Sequence, residues 1–209
     1  AQMASIGSEW QPIAPKDFLD YARKPEAHLA RSNDELVEAI RETLDDWERE
    51  VQSPGGRGHV FDFNTKSPHD EPIISKGLQD WLLSHVQIIG TSESQPFQTN
   101  GQRLDVLLQW PLHGREQNLS LVIEVKKDSH QHVRTEMKDQ LLDRYLVPMS
   151  RDDPSVTHGI YLVVAVNGRR GDSVSDDHLA QLITQLEAQA LTLSTNGFKV
   201  LAHVVDARS

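Results

Sequence analysis

Leu119-Ser120-Leu121-Val122-Ile123-Glu124-Val125-Lys126-Lys127 is an apolar run closed by charge. Five aliphatic residues in so short a span read as a buried strand. Glu124 and Lys126 stand two apart, so a strand points both side chains to the same face. A carboxylate and an amine are thereby held side by side at the rim of an apolar core. Charges in that position are costly to desolvate and need a partner or a task.

A second strand is expected just upstream, over Gln102–Gln109, with Leu104, Val106 and Leu108 alternating with Arg103, Asp105 and Leu107. The connection from Trp110 to Asn118 carries Pro111 and Gly114 and suits a hairpin loop. Antiparallel pairing across it brings Asp105 beside Glu124 and Lys126. Two acids and a lysine on neighbouring strands suit Mg²⁺, which takes oxygen ligands and uses one or two carboxylates.

Further elements follow in order. A helix is expected from about His132 to Leu146, a strand over His158–Val166, a helix over Val174–Leu193 and a last strand over Phe198–Val205. Upstream, Glu71 to Leu83 reads as a helix with Pro72 in its first turn. Asp105 followed by Glu124-Val125-Lys126 in this setting resembles the PD-(D/E)xK, or restriction-endonuclease-like, nuclease superfamily. The resemblance covers roughly residues 66–205. It implies an α/β fold with the restriction-endonuclease-like αβββαβ core, a central mixed sheet flanked by helices. One departure is Leu104, where the superfamily name has proline.

The resemblance also implies a function. The chain would be a Mg²⁺-dependent nuclease, with Mn²⁺ able to substitute, hydrolysing phosphodiester bonds of nucleic acid, DNA first among them. Asp105, Glu124, the Val125 carbonyl and Glu71 would hold the metal, and a metal lowers the pKa of bound water. Lys126 would orient the attacking water or stabilise charge growing on phosphorus. Gln140, within Gln140-Leu141-Leu142-Asp143-Arg144-Tyr145, resembles the glutamine of the Q-x-x-x-Y motif of the exonuclease-related branch, although the tyrosine comes one residue late. The whole pattern is similar to C-terminal nuclease modules of bacterial anti-phage defence proteins. A larger parent protein, a partner subunit or a homodimer would fit that role.

Each of these residues has a plainer reading. Asp105, Glu124 and Lys126 would suit a structural ion pair, and Glu71 would suit the dipole of the helix it begins. Tyr145 falls in register with Val133, Met137 and Leu141, as a core residue does. Arg103, on the face of Asp105, is expected to pair with an acid, with contact to phosphate as the alternative, and Lys127 to point away from Lys126. Asp128 or Ser129 is expected to cap the following helix. His130 and His132 lack a third ligand nearby for zinc. Gly168-Arg169-Arg170-Gly171 is a basic turn that suits either a phosphate backbone or plain solvent. A catalytically silent binding or assembly module on the same fold is the alternative to an enzyme.

The chain has 209 residues, 37% hydrophobic, enough for one sizeable domain or one with an appendage. It has no cysteine, which excludes disulfides and thiolate metal sites. No apolar run approaches a membrane span and no secretory signal is visible, so a cytoplasmic location is expected. The start, Ala1-Gln2-Met3, suits a processed chain or a piece of a longer one. A net charge of −10 argues against a generally sticky polyanion-binding surface and leaves local clusters such as Lys126, Lys127, Arg134, Arg169 and Arg170. Residues 1–52 are expected to form an N-terminal helical extension, with a short helix near Lys16–Arg23. A longer helix then follows Ser32, with Ser32 and Glu35 as a capping box. Leu36, Ile40, Leu44, Trp47 and Val51 mark its buried stripe, and its acids a solvated face. Residues 53–65, rich in glycine, are expected as a linker, and 66–209 as the nuclease-like domain.

Overall fold

The computed structural model describes residues 28–62, 64–86, 88–89, 104–111 and 118–208. The expected short helix near residues 16–23, and Arg103, lie outside them. In chain order the elements are β1 (His28–Leu29), α1 (Asn33–Gln52), a 3₁₀ turn (Gly56–His59), α2 (Glu71–His85), β2 (Ile88–Ile89), β3 (Val106–Pro111) and β4 (Asn118–Lys127). A π helix (Met137–Leu146) follows, running directly into α3 (Val147–Asp152), then β5 (His158–Ala165), α4 (Ser173–Leu193) and β6 (Lys199–Asp206). The class is α/β, a four-stranded mixed sheet flanked by helices. Its order is β3-β4-β5-β6, with β3 antiparallel to β4 and the other two pairings parallel. β1 and β2 form a separate parallel pair that the sequence did not announce.

β4 is buried along its whole interior, as a strand covered on both faces must be, and this is why its sequence is a near-continuous apolar run. Leu119, Leu121, Ile123 and Val125 face one core layer, shared with α1 and α2. Val122 faces the other, shared with Met137 and Leu141 of the π helix and Leu182 and Leu186 of α4. Glu124 and Lys126 continue the Val122 face by strand alternation.

α1 is not an appendage. Leu36, Ile40, Leu44, Trp47 and Val51 are all buried in the first layer, while Asp34, Glu35, Glu38, Glu42, Asp45 and Asp46 are exposed. Both ends are tied to the sheet. The Asn33 side chain accepts from Ser120 N (2.8 Å) and donates to the Ser155 carbonyl (2.7 Å). Gln52 Nε2 donates to the Asp206 carbonyl (2.8 Å). The capping box is half formed: Ser32 Oγ accepts from Glu35 N, but the Glu35 carboxylate reaches past Ser32 to Arg31 N (2.7 Å).

The expected linker, residues 53–65, is folded over its described part. Val60 and Phe61 are buried beside α1 and α2, and Phe61 bridges antiparallel to Pro68. The Asp62 carboxylate closes the turn by accepting from Asn64 N (2.7 Å) and Thr65 N (2.8 Å). Glycine and polar residues here encode tight turns rather than free chain. The expected hairpin loop is shorter than its sequence suggested. Trp110, read as loop, is a fully buried β3 residue opposite Leu119. Among the described residues no helix is long and apolar enough to cross a membrane.

Candidate active site

The site forms where β3, β4 and α2 meet. The β3–β4 register pairs Val106 with Ile123, and one step further sets Asp105 opposite Glu124. Asp105 lies in a bend just before β3 rather than within the strand, as the sequence suggested. Freed from the ladder, it turns its carboxylate to accept from Val125 N (Oδ2, 2.8 Å). Lys126 Nζ donates to Glu124 Oε1 (2.6 Å), as side chains two apart on one strand can. Glu71 is the acid in the first turn of α2, as expected, and it also reaches the strand. Its Oε1 accepts from Lys127 N (3.1 Å) and its Oε2 lies 3.8 Å from Lys126 Nζ. The structure therefore brings Asp105, Glu124, Lys126 and Glu71 together from the bend before β3, from β4 and from α2. The other oxygen of Glu124, Oε2, is buried and has no hydrogen-bond partner among the described residues.

Burial, then the neighbouring Asp105 charge, lift the Glu124 carboxyl from its ordinary range to about 7; Lys126 pulls it down without prevailing. Burial also raises Asp105, against the Val125 N–H and the Lys126 charge. Burial alone would lower Lys126, but Glu124, Glu71 and Asp105 outweigh it and hold the ammonium charged. Near neutral pH the pair of acids thus shares less than its full negative charge, as close buried carboxylates do. Ser75 of α2 was not foreseen. Its hydroxyl is buried without a well-aligned hydrogen bond, yet it helps to pull Asp105 down.

The π helix closes the second face. Gln140 and Tyr145 are five residues apart, about 1.4 turns of an α helix and so on different faces. Hydrogen bonds between residues five apart widen the turn and bring such positions back toward one side. The last of them runs from Val147 N to the Leu142 carbonyl. Tyr145 is buried, and after burial itself the Glu124 charge is the main influence raising its phenol, with Asp105 adding to it. It is thus a core residue, as expected, and also within electrostatic reach of the acids. Gln140 is half-buried on the same helix. Gly159 of β5 seats this helix, because a Cβ there would stand 2.9 Å from Leu141 Cδ1 and 3.0 Å from Leu146 Cδ1. Tyr161, aligned with Glu124 in the β4–β5 register, is fully buried and donates to the Val133 carbonyl (3.1 Å).

Asp128 does not cap the next helix. Its carboxylate accepts from Val166 N (3.0 Å) and Asn167 N (3.3 Å), N–H groups left over where the β5 ladder ends. Residues 131–135 are turns, and the π helix begins at Met137 without a side-chain cap. Lys127 turns away from Lys126, its Nζ 3.7 Å from Asp70 Oδ1. His130 Nδ1 lies 3.5 Å from Glu136 Oε2.

Among the described residues no group of three or more His, Asp or Glu side chains converges closely enough to hold a metal as the side chains stand. The adjacent buried carboxyls of Glu124 and Asp105, which share a hydrogen bond when one of them holds a proton, nevertheless fit a hard cation that would take that proton's place. Comparison with family models, with curated proteins and with solved structures finds no match for this chain.

Proposed function

We propose that the chain is a metal-dependent nuclease that hydrolyses phosphodiester bonds of nucleic acid, DNA first among them, on a restriction-endonuclease-like αβββαβ core of the PD-(D/E)xK superfamily. The observation that carries this reading is Glu124: one oxygen held by Lys126 at 2.6 Å, the other buried with no donor from the described residues, and the Asp105 carboxyl opposite. Asp105 and Glu124 would hold Mg²⁺ or Mn²⁺, with Glu71 and the Val125 carbonyl as further ligands. The ion would supply Lewis-acid polarisation of the phosphoryl oxygen and a ready source of hydroxide near neutral pH. Lys126, buried and kept protonated by its acids, offers a preorganised positive charge where negative charge grows on phosphorus. Val125 N–H fixes Asp105, and Lys127 N–H fixes Glu71, so both acids are held by backbone rather than by flexible side chains. Gln140, half-buried on the π helix, is the candidate contact to the substrate. The likeness of these motifs to C-terminal modules of bacterial anti-phage proteins supports a role as a defence effector within a larger assembly.

A second reading rests on a specific observation. Lys126 already neutralises Glu124, and the acids as they stand do not converge on a three-ligand centre. A fold kept for binding or assembly would need no more than this ion pair. Incubation of the purified protein with supercoiled plasmid in Mg²⁺, Mn²⁺ or EDTA, beside Lys126→Ala and Glu124→Ala, separates the two. Metal-dependent nicking that both substitutions abolish supports the nuclease. Wild type inert toward DNA and RNA with both metals supports the silent module.

A further inference from the structure

The turn that follows β5 is built more firmly than a solvated loop requires. Gly168 and Gly171 both take left-handed backbone (φ 88° and 82°), which bends the chain sharply around Arg169 and Arg170. On one side the Asp128 carboxylate holds Val166 N and Asn167 N. Asp128 stands two residues beyond Lys126, and its own N–H bonds the Val164 carbonyl (3.1 Å). On the other side Gly168 lies so close to Ser175 of α4 that a Cβ would stand 2.1 Å from its hydroxyl. Ser175 is itself held by Arg208 Nη1 (2.6 Å). The turn is therefore clamped to the end of the strand that carries Glu124 and Lys126.

Its charges are available. Arg169 is exposed and has no ion-pair partner among the described residues. Arg170 Nε reaches Asp206 Oδ2 only at 4.0 Å, and Arg208 already takes that carboxylate at 2.8 and 2.9 Å. Asp172, next along, accepts from Val174 N, and Asp176 from Arg208. The acids of α1 (Asp34, Glu35, Glu38, Glu42, Asp45 and Asp46) are exposed and repel a polyanion. In sheets with parallel strands, ligands gather at the carboxyl ends of the strands, which is where this turn sits relative to β4 and β5.

We propose that the Gly168–Gly171 turn grips the phosphodiester backbone of duplex nucleic acid and lays it across the carboxyl ends of β4 and β5; this rests on the nuclease reading. Backbone contacts of this kind position a duplex and supply salt-dependent affinity without reading sequence.

The test compares wild type with Arg169→Ala/Arg170→Ala, and with Arg41→Ala/Arg49→Ala on α1 as a control. Binding of a fluorescent DNA or RNA duplex is followed by anisotropy in EDTA across a salt series. Hydrolysis of bis(p-nitrophenyl) phosphate in Mn²⁺ is measured in parallel. The turn variant is expected to bind on the order of tenfold more weakly at low salt, with a salt slope smaller by about 1–2. Its hydrolysis of the small diester stays at the wild-type rate, and the control binds as wild type does. A turn variant that keeps wild-type affinity and slope overturns the inference while leaving the nuclease reading intact. Wild type that hydrolyses the small diester but binds neither duplex overturns it as well. Wild type that neither binds a duplex nor hydrolyses the diester removes both readings together.

Discussion

Glu124→Gln in metal-free buffer tests the electrostatics of the site directly. Glu124 is 2% exposed and its carboxyl is lifted from 4.5 to about 7. A raised acid binds its proton more tightly in the folded than in the unfolded chain. Its contribution to stability is therefore full below about pH 4.5 and is lost as pH rises through about 7. Integrating the proton linkage between pH 5 and pH 8 gives a loss on the order of 2–3 kcal/mol. The pull of Lys126 is already contained in the shifted pKa. The glutamine variant has no such proton, so the stability difference between it and wild type should move in its favour by that amount over the same range. For a chain of this size each kcal/mol is about 2–4 °C in Tm, so the difference in midpoint should change by roughly 5–10 °C. Thermal melts followed by circular dichroism in EDTA at pH 5, 6, 7 and 8 measure it. Wild-type and variant curves that run parallel from pH 5 to pH 8 refute the reasoning.

Three further outcomes are expected. The affinity for Mn²⁺, measured by calorimetry, should rise with pH through about 7, because the cation must displace the proton that Glu124 retains; an affinity flat from pH 6 to pH 8 speaks against Glu124 as a ligand. Gly159→Val should destabilise by about 1–3 kcal/mol, since Leu141 and Leu146 are both fully buried and cannot give way, and urea midpoints unchanged from wild type would show that the π helix is not seated on Gly159. Trp47→Ala should cost about 3–5 kcal/mol and shift one common transition in far-ultraviolet dichroism and fluorescence; a separate early transition for α1 would contradict its place in the shared core.

Much of the fold is legible in the chain because the elements are periodic and doubly covered. β4 and β5 are apolar runs, and the stripe of α1 is buried residue for residue. The same-face relation of Glu124 and Lys126 follows from strand geometry alone. What the sequence conceals depends on distant contacts. The π helix exists where the chain meets Gly159 of β5, and no local pattern announces a ring closed over five residues. Glu71 looks like a helix-start acid until β4 ends beside it with an unsatisfied Lys127 N–H. Asp128 looks like a cap, but the unpaired N–H groups after β5 claim it first. Residues 53–65 read as linker because composition reports turns and cannot report that Val60 is buried between them.

The bond from Gln52 to the Asp206 carbonyl has a temporal meaning. α1 is among the first described elements that a ribosome would make, and β6 is the last. Until β6 emerges, the helix has no strand at its far end and the parallel ladder of β5 lacks its outer neighbour. Contacts of such long sequence separation form late and slowly. A nascent chain that already carries Asp105, Glu124 and Lys126 therefore holds them on an unfinished sheet.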